Sequence, residues 1–180
     1  CSTDIASIGA VMGMVPQQIA LFGNLTANEN LNYIGRLYGL DKEVIASRKR
    51  YLLERLGLDK HADKRVNAYS GGMKRRANII ASLLHDPELL LLDEPTAGVD
   101  VQSRAMILDF LKEYRQRSKT ILYTSHLMDE AEQICDEVVI LDAGKYVTGG
   151  SPKDLITETV GCARLEEVFL HYTGHSLRDH

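Results

Sequence analysis

Apolar residues recur three and four apart through the first third of this chain, then gather into short unbroken runs through the remainder. Leu31, Ile34 and Leu37 keep helical spacing behind Thr26-Ala-Asn-Glu29, a capping box, and Gly39 closes that helix. Asp41 is placed to cap the next, whose Val44, Ile45, Leu52, Leu53 and Leu56 make an amphipathic face ended by Gly57. Residues 24–68 are therefore expected to form an all-helical subdomain. Before them, Ile8 to Val15 is apolar enough for a buried strand, and Pro16-Gln17-Gln18 breaks it into a loop, so 1–23 is read as strand and loop.

From Ser70 onward the period changes. Ser70 is a good N-cap for a helix running to about Leu84. Leu89 to Leu92 read as a short, fully buried strand of the kind found in parallel sheets. A helix follows on Ile107, Leu108, Leu111 and Tyr114, then a strand at Thr120–Thr124, a short helix over Leu127–Ile134 and a core strand at Val138–Leu141. Asp142-Ala-Gly-Lys145 is a turn, Ser151-Pro152 opens a helix with proline at its first position, and Leu165–Tyr172 is a last amphipathic segment. This alternation predicts an α/β fold with parallel strands, its core over 69–150 and a helical tail over 151–180.

Composition narrows the class. At 180 residues, 44% hydrophobic and 26% charged, the chain has the balance of a globular protein with a real core. A net charge of −4 gives no electrostatic reason to expect nucleic acid as a partner. The apolar runs are far shorter than the roughly 20 residues of a membrane helix, so membrane association is expected through a partner. Cys1, Cys135 and Cys162 are odd in number and widely spaced, which suits a reducing cytoplasm and no metal cluster. No basic leader precedes Ile8–Val15, so no signal peptide is expected.

Two segments carry candidate chemistry. Ser70-Gly71-Gly72-Met73 places bare backbone N–H groups and a positive dipole end at a helix start, a natural place for a phosphate. Leu89 to Leu92 then lead into Asp93-Glu94-Pro95, a magnesium ligand and a candidate base at a sheet edge. His126 adds a third polar group one strand further on. Taken singly, each has a plainer explanation: a helix cap, a buried strand ending in a solvated turn, a structural histidine. Tyr33, Tyr38, Tyr51, Tyr114, Met12 and Met14 are expected to be core residues, the cysteines structural, and Lys74-Arg75-Arg76 a solvated helix face.

Their joint order resembles the nucleotide-binding domain of the ABC transporter ATPases over nearly the whole chain. Tyr69-Ser-Gly-Gly-Met73 is similar to that family's signature motif, Leu89–Glu94 to its Walker B strand and Thr96-Ala-Gly-Val-Asp100 to its D-loop. Gln17 stands where the Q-loop glutamine belongs and His126 where the switch histidine belongs. The resemblance implies a P-loop NTPase-like parallel sheet with the helical subdomain inserted, using ATP and Mg2+. It implies that Asp93 holds the magnesium with help from Gln17, that Glu94 polarises the attacking water and that His126 senses the γ-phosphate. Ser70, Gly71 and Gly72 would bind ATP held by a second copy of the domain, with Asp100 at the seam of a head-to-tail dimer. Tyr69, Met73 and the tail Leu165-Glu-Glu-Val-Phe-Leu170 are similar to drug-resistance-type exporters, whose ATPase subunit lies on the inner face of the membrane against a separate permease.

No G-x-x-x-x-G-K-[ST] phosphate loop occurs among the 180 residues. The chain alone is therefore expected neither to bind ATP tightly nor to hydrolyse it. In the family the missing strand lies between the strand leading to His126 and that at Val138–Leu141. Two unpaired edges would result, filled by residues 2–14, by a second copy or by rearrangement. A non-catalytic interaction module is the alternative function; a DNA-repair or translation ATPase would carry a second domain or coiled-coil insertions that nothing here resembles.

Overall fold

The structure, a computed structural model, describes residues 5–174. Its elements run α1 (Ile5–Val11), β1 (Met12–Val15), α2 (Ala27–Leu37), α3 (Lys42–Arg55), α4 (Gly71–Leu83), β2 (Leu89–Asp93), α5 (Val101–Arg115), β3 (Thr120–Thr124), α6 (Met128–Ile134), β4 (Val138–Asp142), β5 (Lys145–Gly150), α7 (Pro152–Glu158) and α8 (Leu165–Thr173), with 3-10 turns at Asp59–His61 and Val66–Ala68. They cluster into two compact units, residues up to Thr124 and residues from Ser125.

In the first unit β1, β2 and β3 form a parallel sheet in that order, with Met12 opposite Leu89 and Asp93 opposite Thr124. Parallel neighbours require crossovers, and the helical segment 24–84 and then α5 supply them. Leu90 and Leu92 are buried, whereas Leu89 and Leu91 are only partly so. The strand is thus half-covered, not buried on both faces as its four leucines predict. Met14 and Leu122, on the open face, are 56% and 59% exposed. Ile79, Ile80, Ile107 and Leu111, fully buried on α4 and α5, supply much of the remaining core.

The expected strand over Ile8–Val15 is helix in its first half and strand in its second. Extended backbone begins only at Met12, where β2 becomes available to pair with it, and Ile8 and Val11 lie exposed upstream. Met12–Met14 pair with β2 on the side away from β3, so they do not fill the expected gap; residues 2–4 lie outside the described residues. Among the described residues no strand pairs with the outer edge of β3.

Segment 24–68 is helical, as its spacing predicts. Thr26 Oγ1 accepts from the Glu29 N–H at 3.1 Å and Glu29 returns a carboxylate to the Thr26 N–H at 2.8 Å, completing the capping box. The backbone hydrogen bond from Thr26 is the main reason the Glu29 carboxyl titrates below its usual range. Replacing Thr26 by Ala is expected to cost about 1 kcal/mol, read as a lower denaturant midpoint at unchanged slope. Asp41 stands at the N-cap of α3 but makes no side-chain cap bond. Of the aromatic residues expected inside, Tyr114 is buried, its hydroxyl donating to the Pro87 carbonyl at 2.8 Å. Tyr33 and Tyr38 are 46% and 41% exposed, because α2 covers the unit with Ala27, Asn30, Leu31 and Gly35 instead.

The second unit packs α6, α7 and α8 around Ile140, Leu155, Leu165 and Val168. Its strand β4 pairs antiparallel with β5 and not within the parallel sheet, a correction to its reading as a core strand. The cause is local: Ala143 and Gly144 both take positive φ, 47° and 74°, the conformation of a two-residue hairpin turn.

Candidate functional site

The expected chemistry of the first unit converges on the C-terminal ends of β1 and β2, the usual place for ligands in an open parallel sheet. Asp93 ends β2 with an exposed carboxylate, and Thr124, its register partner on β3, donates a hydroxyl to Asp93 Oδ1 at 2.8 Å. Glu94 follows in a left-handed backbone conformation, φ 43°, which turns the chain sharply out of the strand. Its N–H points to the Thr124 carbonyl and hydroxyl, each at 3.2 Å. Gln17, exposed just beyond β1, brings Nε2 to 3.4 Å from Glu94 Oε2. Nothing in the local sequence marks Thr124 as a site residue. Its only signal was register: it is the last residue of a strand aligned with the one that ends in Asp93.

Ser70 caps α4 as expected, its Oγ accepting from the Met73 N–H at 3.2 Å. The two glycines behind it differ. A Cβ on Gly71 would meet nothing within 4 Å, so this face of the helix start is open. A Cβ on Gly72 would stand 2.4 Å from Ser103 Oγ and 2.5 Å from Asp100 Oδ2, so Gly72 is what lets α5 approach. Asp100 caps α5, its Oδ1 accepting from the Ser103 N–H at 2.9 Å. Gln17, Gly71 and Glu94 line one cleft of about 240 Å³ together with Ile19, Arg75, Ala97, Gly98 and Val99.

The backbone hydrogen bond from Ser103, first, and then its hydroxyl hold the Asp100 carboxyl below its ordinary 3.8. A depressed carboxyl stabilises the fold fully above that ordinary value and loses its contribution as pH falls through the folded one. Asn also caps helices well, so Asp100→Asn removes mainly the charge. The Tm gap between wild type and Asp100→Asn is therefore expected to narrow between about pH 6 and about pH 3.

The basic run after the signature is not a solvated face. Arg75 is 4% exposed and Arg76 9%. Arg76 donates to the Leu56 carbonyl at 2.7 Å and to that of Gly72 at 3.3 Å, tying α4 to the end of α3. Arg75 reaches backbone carbonyls on both sides of the site.

His126 belongs to the second unit, where its side chain is exposed. Its turn is held by Ser125, whose hydroxyl accepts from the Leu127 N–H at 3.0 Å and donates to buried Glu130 at 3.3 Å.

Among the described residues no three His, Cys, Asp or Glu side chains are grouped as a metal-holding cluster. A single exposed aspartate beside a hydroxyl still suits magnesium, which keeps several waters and takes one or two carboxylates.

A family profile described as ABC transporter matches residues 2–97, just over half of the chain. The linearmycin resistance ATP-binding protein LnrL of Bacillus subtilis (strain 168) is 46% identical over 154 residues, covering 86% of this chain and 48% of that protein. The Nod factor export ATP-binding protein I of Ralstonia nicotianae is 43% identical over 155 residues, with coverage of 86% and 48%. The chain thus spans about half the length of these curated relatives. A solved ATP-binding subunit of an ABC transporter superimposes with a TM-score of 0.84 at 26% identity, over 94% of this chain and 71% of that one. By the profile it matches and the fold it shares, this chain belongs to the ABC transporter family.

Proposed function

We propose that this chain is part of the ATPase subunit of an exporter and supplies the hydrolytic groups of its ATP site. The observation that carries the reading is the meeting of Gln17, Asp93, Glu94 and Thr124 at one sheet edge, beside a cleft that Gln17 and Glu94 line with Gly71 at the start of α4. Asp93, with Gln17, would hold magnesium, which would supply positive charge against the phosphates of ATP. Glu94 accepts a hydrogen bond from the attacking water and draws off its proton. Gln17 Nε2, already directed at that carboxylate, keeps it turned toward the water.

Ser70, Gly71 and Gly72 act on ATP held by a second copy. The open space at Gly71 and the cap at Ser70 leave the helix start accessible to an anion. Asp100 lies at the seam of that dimer. At about 240 Å³ the cleft falls short of the ~300 Å³ at which small-molecule pockets begin. With no phosphate-loop motif in the sequence, ATP needs further protein surface to be held. The outer edge of β3, with which no strand among the described residues pairs, is a place for such surface, or for a second copy of this chain. Phe22, Tyr33 and Leu37, 54%, 46% and 68% exposed near the loop after Gln17, provide an apolar face for a membrane permease, which keeps the subunit on the cytoplasmic side.

Export of an antibiotic or another hydrophobic compound is the cargo reading, supported by relatives named for linearmycin resistance and Nod factor export. The test is magnesium-dependent ATP hydrolysis by the native subunit that carries this chain, assayed with its permease in vesicles. Turnover that disappears on Asp93→Ala supports the reading. A subunit that binds the permease but hydrolyses no ATP leaves the interaction module as its function.

A further inference from the structure

We propose that Arg75 is a positioning residue, one whose guanidinium fixes Gln17 against Glu94 and ties both to the signature helix α4. The proposal rests on the functional reading above for the meaning of those two side chains; the clamp itself rests on geometry.

An arginine has five N–H donors, and here all five are taken by backbone carbonyls. Nη1 donates to Pro16 at 2.5 Å and to Gln17 at 3.1 Å, and Nη2 to Asp93 at 2.5 Å and to Glu94 at 2.7 Å. Nε donates to Pro95 at 2.8 Å. Two of these acceptors belong to the segment leaving β1 and three to the segment leaving β2. One planar group therefore sets the separation of two chain segments. The chain on each side carries a proposed catalytic side chain.

Glu94 shows why such a clamp is needed. Its left-handed φ of 43° is uncommon for a residue with a side chain. Such conformations persist only where the surroundings over-determine them. The Glu94 N–H is held by Thr124 and its carbonyl by Arg75, so the residue is fixed at both of its peptide groups.

Arg75 is also the first member of a polar stripe. Along a strand, alternate carbonyls point to opposite sides. Val11 offers its carbonyl to Glu88 on the β2 side at 2.8 Å, so those of Met12, Met14 and Pro16 face the other way. His85 Nε2 lies 3.1 Å from the Met12 carbonyl, and Ser82 Oγ donates to that of Met14 at 2.6 Å. Arg75 takes Pro16, and Asn78 Oδ1 accepts from the Ala20 N–H at 3.0 Å. Residues 75, 78, 82 and 85 are three and four apart, one line along α4 and just past its end. No strand among the described residues flanks the outer edge of β1, and the helix zips that edge instead. A shift of α4 is thereby transmitted to Gln17 and Glu94 through one side chain. Burial pulls the Arg75 pKa down, against Asp93, Tyr123 and Glu94, yet a guanidinium stays charged.

The test uses the native subunit with its permease, as wild type, Arg75→Lys and Arg75→Gln. Lysine keeps the charge but has three donors on one atom, and neither replacement can span five carbonyls. Two readouts are taken: kcat and KM for magnesium-ATP, and amide hydrogen exchange resolved by peptide. Both variants are expected to lose about 10²-fold in kcat, with KM held within about three-fold. Exchange is expected to quicken in peptides covering 14–20 and 92–98 while α2 and α3 keep wild-type protection. Wild-type kcat in Arg75→Lys, or exchange quickened evenly along the whole chain, would overturn the proposal. A wild-type subunit with no ATPase activity sinks the functional reading instead, and the exchange pattern then decides the clamp alone.

Discussion

Glu94→Gln in the native subunit is expected to lower ATP turnover by about 10²–10⁴-fold, the usual contribution of a positioned base. Stability should hardly change. Glutamine keeps the backbone carbonyl that Arg75 takes and the N–H held by Thr124, and a carbonyl oxygen still faces Gln17. What it loses is the capacity to accept a proton from water. Steady-state hydrolysis, with thermal melting as the control, checks both halves of the expectation. The same substitution in the isolated 180-residue chain should do nothing measurable, since no nucleotide is held there. An ATP-dependent dimer of that variant, seen by light scattering, would contradict the expectation.

The second large effect is on folding. Gly72→Ala is expected to destabilise the first unit by about 1–3 kcal/mol, the range for overpacking a close contact. Its Cβ would lie 2.5 Å from the carboxylate that caps α5 and 2.8 Å from Ser103 Cβ, and rotating Ser103 moves only its hydroxyl. Relief therefore requires α4 and α5 to separate. Gly71→Ala meets open space, and replacing a helical glycine with alanine stabilises by about 0.4–1 kcal/mol. Adjacent glycines should thus respond with opposite sign in denaturant unfolding. If the two variants melt together, the close packing of α4 on Asp100 and Ser103 is wrong.

This pair also shows what the sequence made legible. Ser-Gly-Gly announced a helix start, and the cap formed at Ser70 as expected. Which glycine faces a ligand and which faces a neighbour depends on α5, whose approach leaves no local trace. The capping box at Thr26 and the turn at Asp142–Lys145, though not the hairpin it closes, were readable because their causes lie within four residues. Arg75 and Arg76 are buried against the sequence expectation, for the opposite reason. A basic run is ordinarily solvated, and what draws these two inward is a set of carbonyls on distant segments. Every residue has a carbonyl, so no residue type marks the acceptors. Thr124 was hidden likewise, since its role exists only once β2 and β3 are in register. The strand at Val138–Leu141 misled because an apolar run specifies extended backbone but not its partner, and the turn after it supplied β5.

Calorimetric titration of magnesium-ATP into the purified 180-residue chain is the most direct test of the division of labour proposed here. The predicted result is no saturable heat at nucleotide concentrations up to about 1 mM, a ceiling that excludes binding stronger than roughly −4 kcal/mol. Saturable binding at one nucleotide per chain would contradict it. The cleft beside Gln17, Arg75 and Glu94 would then belong to a self-sufficient ATP site.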